Sequence, residues 1–170
     1  MAVVYLSLGT NLGNKIQNLL ISHLYISKKL GSVKLKSKFY NTPAWGYSDN
    51  NLYINQVLKI ETLLKPDKLL EQIQVIEKSI GRVRNQSDGY TSRIIDIDIL
   101  FYDKRIVDTD NLTIPHKFIH LRKFVLHPLH DIAPELMHPV FNKTIAQLLK
   151  QCSDTSEITL VYPEKETFNF

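Results

Sequence analysis

Ile94-Ile95-Asp96-Ile97-Asp98-Ile99-Leu100-Phe101 reads as a strand, closed by the turn residues Asp103-Lys104-Arg105. A strand alternates its faces with period two, so Asp96 and Asp98 project to the same side. Their Cβ atoms then lie roughly 6–7 Å apart, two strand rises. Carboxylates inside an isoleucine run are costly unless a cation or a donor compensates them. At this spacing they can share one or two Mg²⁺ ions, since two-metal sites hold their ions about 3.5–4 Å apart. The competing reading is the exposed polar face of an edge strand. Just upstream, Gly81 to Arg93 forms a long polar loop with Arg82, Arg84 and Arg93. Arginine forks pair with phosphate oxygens, and long loops beside carboxylates are often lids. By itself the loop reads better as a solvated loop whose arginines do nothing. Beside the two aspartates it suits phosphoryl transfer, where catalysis is mostly positioning and charge neutralisation.

Working outward, residues 2–8 are apolar and β-branched, as in a buried strand, and Gly9 to Asn14 is a turn. Ile16, Leu19, Leu20, Leu24 and Ile26 to Leu30 recur at helical spacing, with Gly31 as the cap. Val33 to Tyr40 alternates as a strand with one wet face; Asn41 to Asn51 is a loop; Leu52 to Ile60 is a strand. Pro66-Asp67 opens a second helix, striped by Leu69, Ile73, Ile76 and Ile80 and ended by Gly81. After Ile106-Val107 the prolines 115, 128, 134 and 139 predict an irregular extension, with a short helix over 144–150 and a late strand over 158–162. Two β-α-β halves predict an α+β fold: a ferredoxin-like antiparallel sheet with helices packed on one face, plus the irregular C-terminal extension. Residues 1–162 are expected to form one catalytic domain and 163–170 a loose tail.

The 170 residues are 44% hydrophobic and 22% charged, ordinary globular values that exclude coiled coil and disorder for the body of the chain. No apolar run reaches the roughly 20 residues of a bilayer span, so no membrane partner is expected. The start, Met1 to Leu6, lacks a basic leader, so no signal peptide is expected. The single Cys152 excludes an internal disulfide and a thiolate zinc site. The expected location is cytoplasmic, with a monomer as default. A net charge of +4 favours an anionic ligand but is too small to indicate a nucleic acid.

Other residues carry weaker signals. Glu77 borders the stripe of the second helix, where it could accept from an arginine or a ligand, or simply be a surface carboxylate. Tyr53 and Asn55 share one strand face, which suits stacking on a flat heterocycle; taken alone, an ordinary strand mixture explains them better. His116 could donate to a phosphate, although a lone histidine is more often structural. His120, His127, His130 and His138 have no metal spacing, and Pro128 breaks helical register there. Gly9-x-x-x-Gly13 lacks the full Rossmann or P-loop pattern.

In order along the chain, Leu8-Gly9-Thr10-Asn11-Leu12-Gly13, Phe39-Tyr40-Asn41-Thr42-Pro43, Tyr53-Ile54-Asn55 and Glu77 with Gly81-Arg82-Val83-Arg84 come first. They are followed by Arg93 to Leu100, Leu112-Thr113-Ile114-Pro115-His116, Arg122-Lys123-Phe124 and Pro128 to Leu136. This series resembles the 6-hydroxymethyl-7,8-dihydropterin pyrophosphokinase (HPPK) family of folate biosynthesis. The resemblance implies transfer of the β,γ-pyrophosphoryl unit of ATP to the pterin hydroxymethyl oxygen, releasing AMP. It implies that Asp96 and Asp98 hold two Mg²⁺ ions, and that Arg82, Arg84, Arg93 and Arg122 serve phosphate contact or loop closure, with Arg82 and Arg93 catalytic beside the aspartates. It also implies His116 as a phosphate donor and Gln74, Glu77, Ile99 and Thr113 as nucleotide-side positions. The pterin would lie between Tyr53 and Phe124, its edge read by Asn55 and by the backbone of Thr42, Pro43 and Trp45. The chain departs from the family pattern at Thr91-Ser92, where Gly-Pro is usual, and at Asn111 and Lys117; Tyr90 is the candidate for the loop's aromatic residue.

Two other classes compete. An RNA-binding module on the same sheet would need aromatics at an RNP1-like motif; none is found, and Asp96 and Asp98 would repel a phosphate backbone. A Mg²⁺-dependent phosphohydrolase would release phosphate rather than AMP and leaves Tyr53, Asn55 and Phe124 unexplained.

Overall fold

The computed structural model describes residues 1–82 and 92–162. Along the chain come β1 (Ala2–Thr10), α1 (Lys15–Lys29), β2 (Ser32–Lys36), β3 (Phe39–Thr42), β4 (Tyr53–Thr62), α2 (Pro66–Ile80) and β5 (Asp96–Tyr102). The hairpin β6 (Val107–Thr109) and β7 (Leu112–Ile114) follows, then α3 (Lys123–Ile132), the hairpin β8 (Met137–His138) and β9 (Lys143–Thr144), α4 (Ile145–Gln151) and β10 (Thr159–Val161). The main sheet runs β10-β3-β4-β1-β5, every neighbour antiparallel, and β2 pairs with the far end of β4. The α+β class is as expected.

Local chemistry sets the element ends. Asn14 caps α1 by accepting from the Gln17 amide at 3.1 Å. Gly31 follows that helix because a Cβ there would stand 2.1 Å from the Glu61 carbonyl oxygen. Gly81 closes α2 at φ 105°, a left-handed conformation that a side chain disfavours. The single strand expected over 33–40 is instead two, β2 and β3, broken at Ser37. There the Ser37 hydroxyl accepts from the Val57 amide at 2.9 Å and the Ser37 carbonyl accepts from Gln56 Nε2 at 2.8 Å, so side chains replace ladder bonds.

The sheet has two dry faces rather than one. Val4, Leu6, Leu8, Ile60, Ile97 and Ile99 pack against Leu19 and Ile26 of α1 and Leu69, Ile73 and Ile76 of α2. On the opposite face Tyr5, Val57 and Phe101 pack against Val125, Leu126 and Leu129 of α3 and Ile145 and Leu148 of α4. The expectation of helices on one face only is therefore corrected. So is the reading of the proline-rich segment as irregular: Pro128 lies inside α3. A proline there forfeits a helical hydrogen bond, but Pro128 and its apolar neighbours Val125, Leu126 and Leu129 are all buried, and that burial offsets the loss.

Beneath α1 a polar contact interrupts the core. His23 lies 2.6 Å from Gln56 Oε1 through Nε2, and Lys36 Nζ sits 3.5 Å from its Nδ1. Burial, then the Lys36 charge, lowers the His23 pKa to about 4 against the opposing Gln56 contact. A histidine depressed in the folded state protonates more readily when unfolded, so its contribution holds above the unfolded value and is lost as pH falls from about 6.5 toward 4. Stability to denaturant should fall between pH 7 and pH 5, and His23→Gln should make that fall smaller by about 2 kcal/mol, the remainder belonging to His116 and His138, which burial also lowers to about 4. An unchanged pH slope in that variant would refute the assignment.

Candidate active site

Along β1, the residues of the second face pass from Tyr5 under α3 to Ser7 and Gly9, which line a cavity. Tyr53 and Asn55 on β4 and Asp96 and Asp98 on β5 continue the same open face, because Gly9 is registered with Asn55 on one side and Asp96 on the other, and Ser7 with Asp98. A cavity of about 330 Å³ opens there. It is also lined by Thr42, Pro43, Trp45 and Tyr47 from β3 and the loop after it, by His116, Lys117, Phe118, Arg122 and Phe124, and by Arg93. Gly9 has a packing reason: a Cβ would meet Asn55 Oδ1 at 2.9 Å, and Asn55 is held by donating Nδ2 to Thr42 Oγ1 at 2.7 Å.

Charge converges on β5. Asp96 Oδ1 accepts from Arg82 Nη1 at 2.6 Å, and its Oδ2 accepts from Arg93 Nη1. The same Arg82 nitrogen donates to Glu77, whose carboxylate also accepts the Ile97 amide at 2.8 Å. Glu77 is only 2% exposed, so this clasp is shielded from water. Arg122, at the start of α3, lies under a ring of aromatics: its guanidinium carbon is 4.7 Å from the Trp45 ring centre, 5.0 Å from Phe118 and 5.6 Å from Phe124. Burial and the neighbouring Asp96 raise the Asp98 pKa to about 7, against the pull of Arg122 and Arg93. The anion of a carboxyl so raised is only partly compensated, and a bound cation would supply the rest. Two oxygen donors on one strand face suit a hard cation such as Mg²⁺ that takes its other ligands from a polyphosphate and water. Among the described residues no set of three or more acidic, histidine or cysteine groups could hold an ion alone. His116 is kept neutral, with its pKa lowered to about 4 by burial and then by the Arg122 charge. Its Nδ1 accepts from the Phe118 amide at 3.2 Å, which leaves the ring proton on Nε2, a donor suited to an anion.

Of the residues expected at the site, Thr42, Pro43, Trp45, Tyr53, Asn55, Arg93, Asp96, Asp98, His116, Arg122 and Phe124 line this one cavity. Arg82 and Glu77 stand behind Asp96. Gln74 is exposed on α2, Thr113 is half-buried on β7, and the Ile99 side chain packs into the core. Arg84 and Tyr90, with most of the expected lid loop, lie outside the described residues, as does the tail over 163–170. Ser7, Gly9, Tyr47 and Phe118 were not anticipated. Ser7 and Gly9 carried a signal: both are small and alternate with the apolar Leu6 and Leu8 in the second half of β1. Tyr47 and Phe118 sit in loops, where no periodicity points to a side.

The family model for 7,8-dihydro-6-hydroxymethylpterin-pyrophosphokinase (HPPK) matches residues 5–134. The chain is 40% identical over 162 residues to the 2-amino-4-hydroxy-6-hydroxymethyldihydropteridine pyrophosphokinase of Haemophilus influenzae, covering 94% of this chain and 99% of that protein. It is 40% identical over 151 residues to the folic acid synthesis protein fol1 of Pneumocystis carinii, covering 89% of this chain but 20% of that protein. The chain thus spans about a fifth of the length of the Pneumocystis protein. Among solved structures, wild-type HPPK-DHPS of Plasmodium falciparum with pteroate superposes with a TM-score of 0.71 at 21% identity, covering 88% of this chain and 42% of that one. At that identity the likeness is one of fold.

Proposed function

The chain belongs to the 7,8-dihydro-6-hydroxymethylpterin-pyrophosphokinase (HPPK) family, and from that premise we propose that it transfers the β,γ-diphosphoryl unit of ATP to 6-hydroxymethyl-7,8-dihydropterin in folate biosynthesis. The observation that carries this reading is the open sheet face on which Asp96, Asp98, Tyr53 and Asn55 share one cavity with Arg93 and Arg122. The cavity combines charged groups of both signs with several aromatic rings, as an anionic chain and a flat heterocycle require.

In the proposed reaction the hydroxymethyl oxygen bonds to the β-phosphorus while the bond from that phosphorus to the α,β-bridging oxygen breaks. AMP leaves with the bridging oxygen, and the alcohol proton passes to solvent. Asp96 and Asp98 would hold two Mg²⁺ ions, which supply positive charge to the triphosphate and lower the cost of negative charge on the attacking oxygen. Tyr53 and Phe124 grip the pterin ring, and Asn55 reads its edge together with the backbone of Thr42, Pro43 and Trp45. Arg82, Arg93 and Arg122 spread the transferred charge, and His116 donates through Nε2. Gln74, Glu77 and Thr113 lie on the nucleotide side with Ile99, whose buried side chain leaves only its backbone for contact. Holding both substrates on one face supplies the in-line geometry, a contribution that reaches several kcal/mol when orientation is good.

The test is product identity. Purified protein with Mg²⁺, ATP and the hydroxymethyl pterin should form AMP in proportion to pterin consumed, followed by anion-exchange chromatography, and chelation should stop it. Recovery of ADP or inorganic phosphate in place of AMP would reject the reading.

A further inference from the structure

A hydrogen-bonded network outside the reacting groups joins Tyr53 to the segment of Arg93, and it meets at Asp49. This residue lies in the loop between β3 and β4 that carries Trp45 and Tyr47. Its Oδ2 accepts from Asn11 Nδ2 at 2.9 Å, from the Ser92 hydroxyl and from the Tyr47 hydroxyl at 3.4 Å. Its Oδ1 accepts the Asn51 amide at 2.9 Å and so also folds its own loop. Beyond those bonds the network runs two ways. With its own proton given to Asp49, the Tyr47 hydroxyl accepts from the Tyr53 hydroxyl, the two oxygens 2.5 Å apart. Asn11, buried past the end of β1, clamps both backbone groups of Arg93: its Oδ1 accepts the Arg93 amide at 2.6 Å and its own amide donates to the Arg93 carbonyl at 3.0 Å. Asn11 Nδ2 also reaches Ser92 Oγ at 3.3 Å. Ser92 is the residue immediately before Arg93, whose guanidinium grips Asp96.

We propose that Asp49 is a positioning residue that sets the Tyr53 ring and the Arg93 guanidinium relative to each other, through Tyr47 on one side and Ser92 with Asn11 on the other. Four donors from three chain segments fix one carboxylate, and the Ser92 hydroxyl first among them holds its pKa below the ordinary value, so it stays an acceptor. Loops without regular ladders are the least restrained parts of a domain. A shared anion replaces the missing ladder between the loop that carries Trp45 and Tyr47 and the segment that carries Arg93. Asp49 touches no reacting atom in this scheme; it acts through the two residues it aligns.

The inference rests on the proposed reaction for its kinetic reading, but not for its structural one. In active enzyme, Asp49→Ala is expected to raise KM for the pterin and lower kcat by about tenfold each, with the Kd of a non-hydrolysable ATP analogue within about twofold. Tyr47→Phe and Ser92→Ala, which remove the two arms separately, should be non-additive by at least about threefold in kcat/KM, and Ser92→Thr should restore activity by keeping the hydroxyl. Additive losses, or an Asp49→Ala variant that changes KM alone, overturn the proposal. Native-state amide exchange gives a reading independent of activity. Tyr47→Phe should speed exchange of the Arg93 amide, and Ser92→Ala should speed that of Asn51, each across the network from its own change. Unchanged exchange at both far amides overturns the coupling even if the wild-type protein proves inactive, a result that would itself reject only the proposed reaction.

Discussion

Asp98→Ala is expected to lower kcat about a thousandfold or more while the protein melts at the same temperature or higher. The loss follows from the proposed reaction: with one of two cation-binding carboxylates gone, the triphosphate and the alcohol lose the shared positive charge that brings them together, and such electrostatic contributions are among the largest in catalysis. The stability follows from the structure. Asp98 has its pKa pushed up by burial and by Asp96, so in the metal-free fold its anion is a burden near and above neutral pH. The sign is that of a carboxyl raised in the folded state: it opposes folding once pH exceeds its unfolded value, and alanine removes that opposition. Calorimetry without metal, beside AMP formation with Mg²⁺, measures both halves. Retention of a tenth of wild-type turnover would remove Asp98 from the cation site, and a collapse in melting temperature would show that its role is in folding.

Tyr53→Ala should weaken pterin binding about 30- to 100-fold and the binding of an ATP analogue less than about threefold. Ring stacking is worth about 1–3 kcal/mol per heterocycle, and the phenol is also tied to Tyr47. Tyr53 offers a ring face beside the Asn55 amide, whereas the groups suited to phosphate are Arg93, Arg122 and His116. Calorimetric titration of each ligand alone gives the comparison. Equal losses for the two would place Tyr53 in general cavity shape rather than in stacking. Tyr53→Phe should recover most of the affinity, because it returns the ring.

Much of this was legible because it is periodic. The alternation in Asp96-Ile97-Asp98-Ile99 gave both a strand and a two-sided role, and the structure has the aspartates at the cavity and the isoleucines in the core. The stripe Leu69, Ile73, Ile76 with Gly81 located α2 and its end. What was missed depends on partners distant in sequence. Nothing local in the Val33 to Tyr40 run announces that Ser37 will trade bonds with Gln56 and Val57. The helix α3 was hidden by Pro128, whose local penalty is outweighed by apolar surface supplied by Tyr5, Val57 and Phe101 of other strands. The Asp49 network joins residues 38 and 43 positions apart and has no spacing to read.

The β5 strand gives one face to a dry core and the other to the cavity. A one-residue insertion ahead of Asp96 that shifted the pairing with β1 would turn both carboxylates into the oil and both isoleucines toward solvent. Frameshift-like changes in this segment therefore cannot trade function against stability, since they forfeit the two together. Drift among descendants of this gene should be confined here to exchanges of one side chain for another, while gains and losses of length accumulate in the connections around it.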